Sequence, residues 1–163
     1  GDACGGKQTA VVSRGRVWVW GTAAFGRSDV PTTLQGISEP CRAVVCGRYA
    51  TLALAEDSTA RAYLVGKLRP GCDVAFHQNE TPHQTNDGQQ QQLVMAAPCE
   101  AIADHVLDAS LGEAHGLLLG GKKPPDGGQV VLGWGYNAYG QALGKPSQGT
   151  YIDAPTPVTS PFL

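Results

Sequence analysis

The stretch that decides the fold is VLGWGYNAYGQALG, Val131 to Gly144. Its four glycines would weaken a helix or an ordinary strand. Such a density of glycine is typical either of a nucleotide-binding loop or of one copy of a repeat. GRVWVWGTAAFG (15–26) and ARAYLVGKLRPG (60–71) also carry two glycines five positions apart after an apolar run, as this stretch does at Gly135 and Gly140. Three stretches in one register favour a repeat.

A second signature precedes each of these stretches. CGGKQTAVV (4–12), CGRYATLAL (46–54) and LGEAHGLLL (111–119) each contain a leading glycine, a small residue four positions later and an apolar run. The apolar runs have strand length and are bounded by turn residues. Units of about 45 residues with several short strands cannot bury both faces alone, so they stack side by side as propeller blades. The segment 100–107 is the best candidate for a helix, and it too aligns with a strand position of the repeat.

With these residues, the repeat resembles that of the regulator of chromosome condensation family. The third copy matches best, through His115, Trp134-Gly135, Asn137 and Gly140-Gln141, whereas Gln8 and Ala50 stand at the histidine position of the first two copies. The resemblance implies an all-β fold of β-propeller blades, in a ring of about seven. The chain, residues 1–163, is predicted to be a single propeller segment that supplies about three repeats and forms a partial ring. The residues assigned to structural positions of the repeat are Gly5, Gly21, Gly26, Gly47, Gly66, Gly71, Gly112, His115, Trp134, Gly135 and Gly140.

The second repeat is about 20 residues longer than the first. The excess lies in residues 72–97, a polar, glutamine-rich segment that predicts a surface loop inserted within this repeat. Its charged and titratable side chains are candidate partner contacts, together with two carboxylates on other predicted loops. These candidates are Asp29, Glu39, His77, Glu80, His83 and Asp87.

Nucleotide and metal sites are not predicted. GQALGKPS (140–147) has Tyr139 where a phosphate loop needs its first glycine, and Pro146 where it needs serine or threonine. Cys72, His77, His83 and Cys99 lack the paired spacing of zinc ligands. We therefore expect no metal and no cofactor.

Charge, cysteine content and apolar runs limit the classes of partner and the compartment that we expect. The net charge is −2, which gives no support for a nucleic-acid partner. Five cysteines at irregular spacing favour free thiols in a reducing compartment, so the predicted location is intracellular, either cytoplasmic or nuclear. No apolar run approaches the roughly 20 residues of a membrane span. The open edges of a partial ring are expected to be covered by the rest of the propeller or by a neighbouring chain.

The predicted function is a non-catalytic protein-interaction scaffold, because no constellation of catalytic residues stands out. The family resemblance implies an alternative, guanine-nucleotide exchange on a small GTPase. Such exchange needs no covalent chemistry, since the protein would act by stabilising the nucleotide-free GTPase.

Overall fold

A computed structural model describes residues 1–23, 26–66, 68, 100–121, 128–145 and 150–158. Within these ranges the chain forms twelve β-strands and no helix. The strands form three four-stranded antiparallel sheets, and each sheet keeps its strands in chain order. This confirms the all-β prediction of about three consecutive blades.

Each blade is defined by its four strands. Blade 1 contains β1 (Asp2–Cys4), β2 (Gln8–Ser13), β3 (Arg16–Ala23) and β4 (Gly26–Thr33). Blade 2 contains β5 (Cys41–Cys46), β6 (Ala50–Ala55), β7 (Ala62–Gly66) and β8 (Glu100–Ala103). Blade 3 contains β9 (Val106–Leu111), β10 (His115–Gly121), β11 (Gln129–Tyr136) and β12 (Tyr151–Pro157).

The helix candidate at 100–107 is strand β8 followed by the start of β9. His105, with φ 56°, breaks the segment between the two strands. A left-handed residue of this kind cannot continue a right-handed helix. The chain therefore leaves blade 2 and enters blade 3 through a tight connection.

One glycine of the stretch 131–144, Gly135, has a backbone conformation that recurs in every blade. Gly21, Gly66 and Gly135 all have positive φ angles, of 93°, 107° and 96°. A Cβ atom on Gly135 would lie 2.5 Å from the carbonyl oxygen of Ala114. In the same place, the N–H of Tyr136 donates to that oxygen at 2.7 Å. Only glycine tolerates both the dihedral and the close approach, so these glycines belong to a structural repeat.

The leading glycines set the approach of one blade to the next. Gly5, Gly47 and Gly112 occupy equivalent turns, in which each N–H donates to the carbonyl three residues later, at 2.9, 2.8 and 2.8 Å. A Cβ atom on Gly47 would lie 2.6 Å from the carbonyl oxygen of Gly112 in the next blade. Side chains here would therefore hold neighbouring blades apart.

Two apolar clusters fill the spaces between blades. We call the face of a blade that packs on the following blade its front face, and the face that packs on the preceding blade its back face. The first cluster joins the front face of blade 1 to the back face of blade 2, through buried Ala10, Val17, Val19, Ala53, Tyr63 and Val65. The second joins blades 2 and 3 through buried Ala50, Leu52, Leu54, Leu118 and Trp134. The chain is thus a stack in which each front face meets the next back face.

In the described ranges, no helix has the length and apolar character needed to cross a bilayer.

Candidate protein-interaction surfaces

The loop of residues 138–145, which follows β11, is held in place by one buried side-chain amide. Asn137 is fully buried, at 0% exposure. Its Oδ1 accepts hydrogen bonds from the backbone N–H groups of Ala142 and Leu143, both at 3.1 Å, and its Nδ2 donates to the carbonyl of Lys145 at 3.0 Å. A side-chain amide that pairs with three backbone groups fixes the loop in a single conformation. The repeat asparagine is therefore the anchor of a rigid loop.

This loop presents an exposed aromatic side chain. Tyr139 is 84% exposed, and its N–H donates to Oε1 of Gln141 at 2.9 Å. Its ring meets Tyr136 edge-on, with centroids 6.2 Å apart, and Tyr136 lies 5.5 Å from the ring of Tyr151. We call Tyr136, Tyr139 and Tyr151 the tyrosine cluster. Tyrosine offers a large contact area with a polar end and loses few rotamers on binding, which is why it is frequent at binding hot spots.

Glu39 lies in a polar network that connects blades 1 and 2. Its carboxylate accepts from Ser38 Oγ at 2.7 Å and from the hydroxyl of Tyr63. Arg61 Nη1 lies 3.4 Å from Glu39 Oε1, while Arg61 Nε bonds Asp104 at 2.8 Å. The hydrogen bond from Tyr63, then that from Ser38, lowers the pKa of Glu39. The Asp104 carboxylate raises the pKa of the Arg61 guanidinium.

The two carboxylates predicted as partner contacts, Glu39 and Asp29, differ in how exposed they are and in what already binds them. Glu39 has only 21% of its side chain exposed and is already held by its own chain. Asp29 is 69% exposed and pairs with Arg27 at 3.1 Å. It lies on strand β4 rather than on a loop, which corrects its predicted placement. Their roles as partner contacts remain predictions.

The other four predicted contacts lie in the insertion. His77, Glu80, His83 and Asp87 fall outside the described residues, as does Gly71 of the repeat set. The proposed loop at 72–97 remains a prediction. In the part of the chain that the structure describes, no group of three or more histidine, cysteine or acidic residues is arranged to hold a metal ion.

The histidine position of the repeat connects one blade to the next. In blade 1 this position is Gln8, which is buried. Its Nε2 donates to the carbonyls of Gly47 and Ala50 at 2.9 and 3.2 Å, and its Oε1 accepts from Thr51 Oγ1 at 2.6 Å. His115 holds the same position at the start of β10, on the front face of blade 3. Gln8 shows that a polar side chain at this position can bond the following blade.

Sequence reasoning missed two features of these surfaces. The network of Arg61, Tyr63 and Glu39 joins residues of a blade connection to a strand 22 or more positions away. The signal available was a carboxylate just before one blade and an Arg-x-Tyr at the start of a strand. The tyrosine cluster was also not predicted, although Tyr139 lies in the stretch 131–144. Its exposure depends on the loop conformation that Asn137 fixes.

Comparison with known proteins supports the fold. No protein-family model matches the chain, and no curated protein matches it in sequence. Solved structures do match. A chain in the crystal structure of Kap60 bound to yeast RCC1 (Prp20) is 17% identical, with a TM-score of 0.62 over 95% of this chain. Human WBSCR16 is 18% identical, with a TM-score of 0.63 over 99% of it. Prp20p from Saccharomyces cerevisiae, in a study of its binding to Gsp1p and histones, is 15% identical, with a TM-score of 0.66 over 99%.

The chain spans 34%, 39% and 38% of the length of those three proteins. The resemblance read from the glycine repeat is therefore confirmed at the level of the fold. By its fold, this chain is similar to part of the β-propeller in the RCC1 structures.

Proposed function

We propose that the chain is a non-catalytic scaffold for protein–protein interaction. The observation that carries the proposal is the 84% exposure of Tyr139 on a loop whose anchor, Asn137, is fully buried. A large aromatic ring held out by a rigid loop has little conformational entropy left to lose on binding. The tyrosine cluster is thus the proposed contact with a protein partner.

The rest of the fold supports this role by making the surface rigid. Cross-blade hydrogen bonds from Gln8 and ion pairs such as Arg48–Glu113, at 2.6 Å, join successive blades. Arg42 also donates to the carbonyls of Val106 and Leu107 at 3.0 and 2.6 Å, which joins blade 2 to blade 3. Loops that stand on such a framework keep fixed relative positions, as binding surfaces on propellers require.

The test is capture of partners from a lysate of the source cells with the intact protein and with Tyr139→Ala. We expect the variant to lose its main partner, because hot-spot aromatics contribute about 2 kcal/mol or more, which is a loss of affinity of about 30-fold. Val30→Ala is the matched control, since Val30 is a large apolar side chain with 60% exposure on strand β4. Equal recovery of every partner by both variants would contradict the proposal.

The insertion is the second part of the proposed partner surface. It departs most from the repeat and carries His77, Glu80, His83 and Asp87. Deletion of residues 72–97 is expected to weaken a subset of partners. Retention of every partner by the deleted protein would remove the insertion from the proposal.

The second candidate function is guanine-nucleotide exchange on a small GTPase in an intracellular compartment. The likeness to Prp20p, whose structure was reported with its binding to Gsp1p and histones, favours this alternative at the level of fold. Here the propeller would stabilise the nucleotide-free GTPase, and Asp29, an exposed carboxylate, is a proposed contact.

The two functions are distinguished by whether partner capture depends on the nucleotide bound to the GTPase. A small GTPase that is captured only when EDTA strips its nucleotide, and whose release of a fluorescent GDP analogue is accelerated by the protein, would establish exchange. Capture of the same partners with and without EDTA, with no acceleration of the release of the GDP analogue, would support the scaffold function. Asp29→Asn tests the proposed contact and Glu56→Gln is a control, because Glu56 is also an exposed acid, outside strand β4.

A further inference from the structure

The three rings of the tyrosine cluster face in different directions. The ring of Tyr139 stands at 78° to that of Tyr136, with centroids 6.2 Å apart. The ring of Tyr151 is inclined at 52° to that of Tyr136, with centroids 5.5 Å apart. Tyr139 and Tyr151 are 84% and 38% exposed. Two nearly perpendicular rings therefore form a corner that solvent reaches, and the third ring packs against one of its sides.

The propeller repeat does not require tyrosine at these positions. In blade 3, Tyr136 follows the glycine of positive φ in β11 and pairs with Tyr151 of β12. In blade 1, the residue after the equivalent Gly21 is Thr22, which pairs with Arg27 of β4. Both blades form the same four-stranded sheet. The rings of blade 3 are therefore not needed for strand pairing, which leaves them for recognition.

This chain already places a cation against a tyrosine ring. The guanidinium carbon of Arg48 lies 5.1 Å from the centre of the Tyr49 ring. That is within the roughly 6 Å at which the negative face of an aromatic ring attracts a guanidinium or an ammonium group. In the part of the chain that the structure describes, no arginine or lysine lies in this way over the ring of Tyr136 or Tyr139. An exposed corner of this kind can receive a cation from a partner.

A cleft between blades 2 and 3 continues the surface of the cluster. It has a volume of about 290 Å³, and Tyr151 is part of its wall. Leu64 and Trp134 form an apolar part of the cleft, and Asp153 also lines it. The apolar part suits the methylene stem of a long basic side chain, whose charged end stays at the surface. The carboxylate of Asp153 adds negative charge beside the rings.

We propose that the tyrosine cluster binds a weakly hydrated cationic side chain of the protein partner, either arginine or trimethylated lysine. Such cations lose little hydration against an aromatic face, whereas the compact ammonium of unmodified lysine is strongly hydrated. The inference rests on the proposed function, because it gives the chemistry of the partner group at the same surface. It adds that recognition depends on positive charge as well as on apolar contact.

The probes are choline and its neutral analogue, in which a carbon atom replaces the quaternary nitrogen. The two molecules have the same shape and differ in charge. Each is titrated into the full chain while the proton NMR signal of its methyl groups is recorded, since a methyl group over an aromatic face moves upfield. We expect choline to give an upfield shift that saturates. We expect the neutral analogue to bind about fivefold more weakly, as the loss of a cation–π contact at an exposed site implies.

Three variants test whether the ring of Tyr139 is responsible. Tyr139→Phe keeps an aromatic face and is expected to keep the preference for choline. Tyr139→Leu keeps an apolar side chain and is expected to abolish that preference. Tyr49→Leu is the matched control, because the ring of Tyr49 lies against Arg48 and outside the cluster. It should leave choline binding unchanged.

The amides of N-acetylarginine, N-acetyllysine and N-acetyltrimethyllysine identify the side chain in the same assay. We expect arginine or trimethyllysine to bind more tightly than unmodified lysine, and the order of the first two assigns the source of the cation. Tightest binding by unmodified lysine would overturn the inference. Absence of a shift, equal binding of choline and its neutral analogue, or a preference that survives Tyr139→Leu would also overturn it.

Failure of this inference is distinguishable from failure of the proposed function. If Tyr139→Ala loses its partner from the lysate while both probes bind equally, the proposed function stands and the inference fails. If choline is preferred while Tyr139→Ala keeps every partner, the cluster binds a cation and the proposed function fails.

Discussion

Gly47→Ala tests the close approach of the blades. The added Cβ would lie 2.6 Å from the carbonyl oxygen of Gly112 and 3.1 Å from Cβ of Leu111, both in blade 3. The first distance is about 0.8 Å short of the 3.4 Å at which ordinary contact begins. Neither atom can move without its backbone, so the blades must separate. Overpacking of this kind costs about 1–3 kcal/mol.

The assay is thermal unfolding followed by circular dichroism. A loss of 1 kcal/mol lowers Tm by about 2–4 °C in a domain of this size, so we expect Gly47→Ala to lower Tm by about 2–12 °C. Gly6→Ala is the matched control, because its nearest neighbour would be Cγ of Arg48 at 3.7 Å. That change should leave Tm unchanged or raise it slightly, since alanine restricts the unfolded chain. An equal loss of Tm in both variants would refute the argument from close approach.

Two further predictions concern polar groups. Asn137→Ala leaves two buried N–H groups of the loop after β11 unsatisfied. We expect the free energy of unfolding, measured in urea, to fall by about 2 kcal/mol or more, and partner capture to weaken even though Tyr139 is intact. Unchanged stability would contradict the anchoring role of Asn137. Glu39→Gln is expected to destabilise the protein at pH 7 and to matter less in acid. The lowered pKa of Glu39 means that its contribution is present above its ordinary value of 4.5 and is lost as the pH falls through the lowered value. If the difference in Tm between the Glu39→Gln variant and the original protein did not become smaller below pH 4, this prediction would be wrong.

The sequence predicted the repeat and its glycines because their constraints are local. A positive φ and a close carbonyl restrict Gly135 to glycine, and a positive φ recurs at the equivalent Gly21 and Gly66 of the other two blades. The histidine position was also found, although its cross-blade role is shown by Gln8, which departs from the motif.

The surfaces were less predictable because they depend on which strands become neighbours. Glu39 meets Tyr63 only when the connecting segment crosses the back face of blade 2. Tyr136 meets Tyr151 only through the pairing of β11 with β12, whose register shifts between Gly133 and Gly135. Spacing along the chain carries no signal for either contact.

In the proposed function, the chain binds a protein partner through the loop that Asn137 anchors. The most direct measurement is hydrogen–deuterium exchange of the intact protein, alone and with the partner recovered by capture. We expect added protection of the backbone at residues 136–145. Protection confined to other parts of the chain, with unchanged exchange at 136–145, would contradict it.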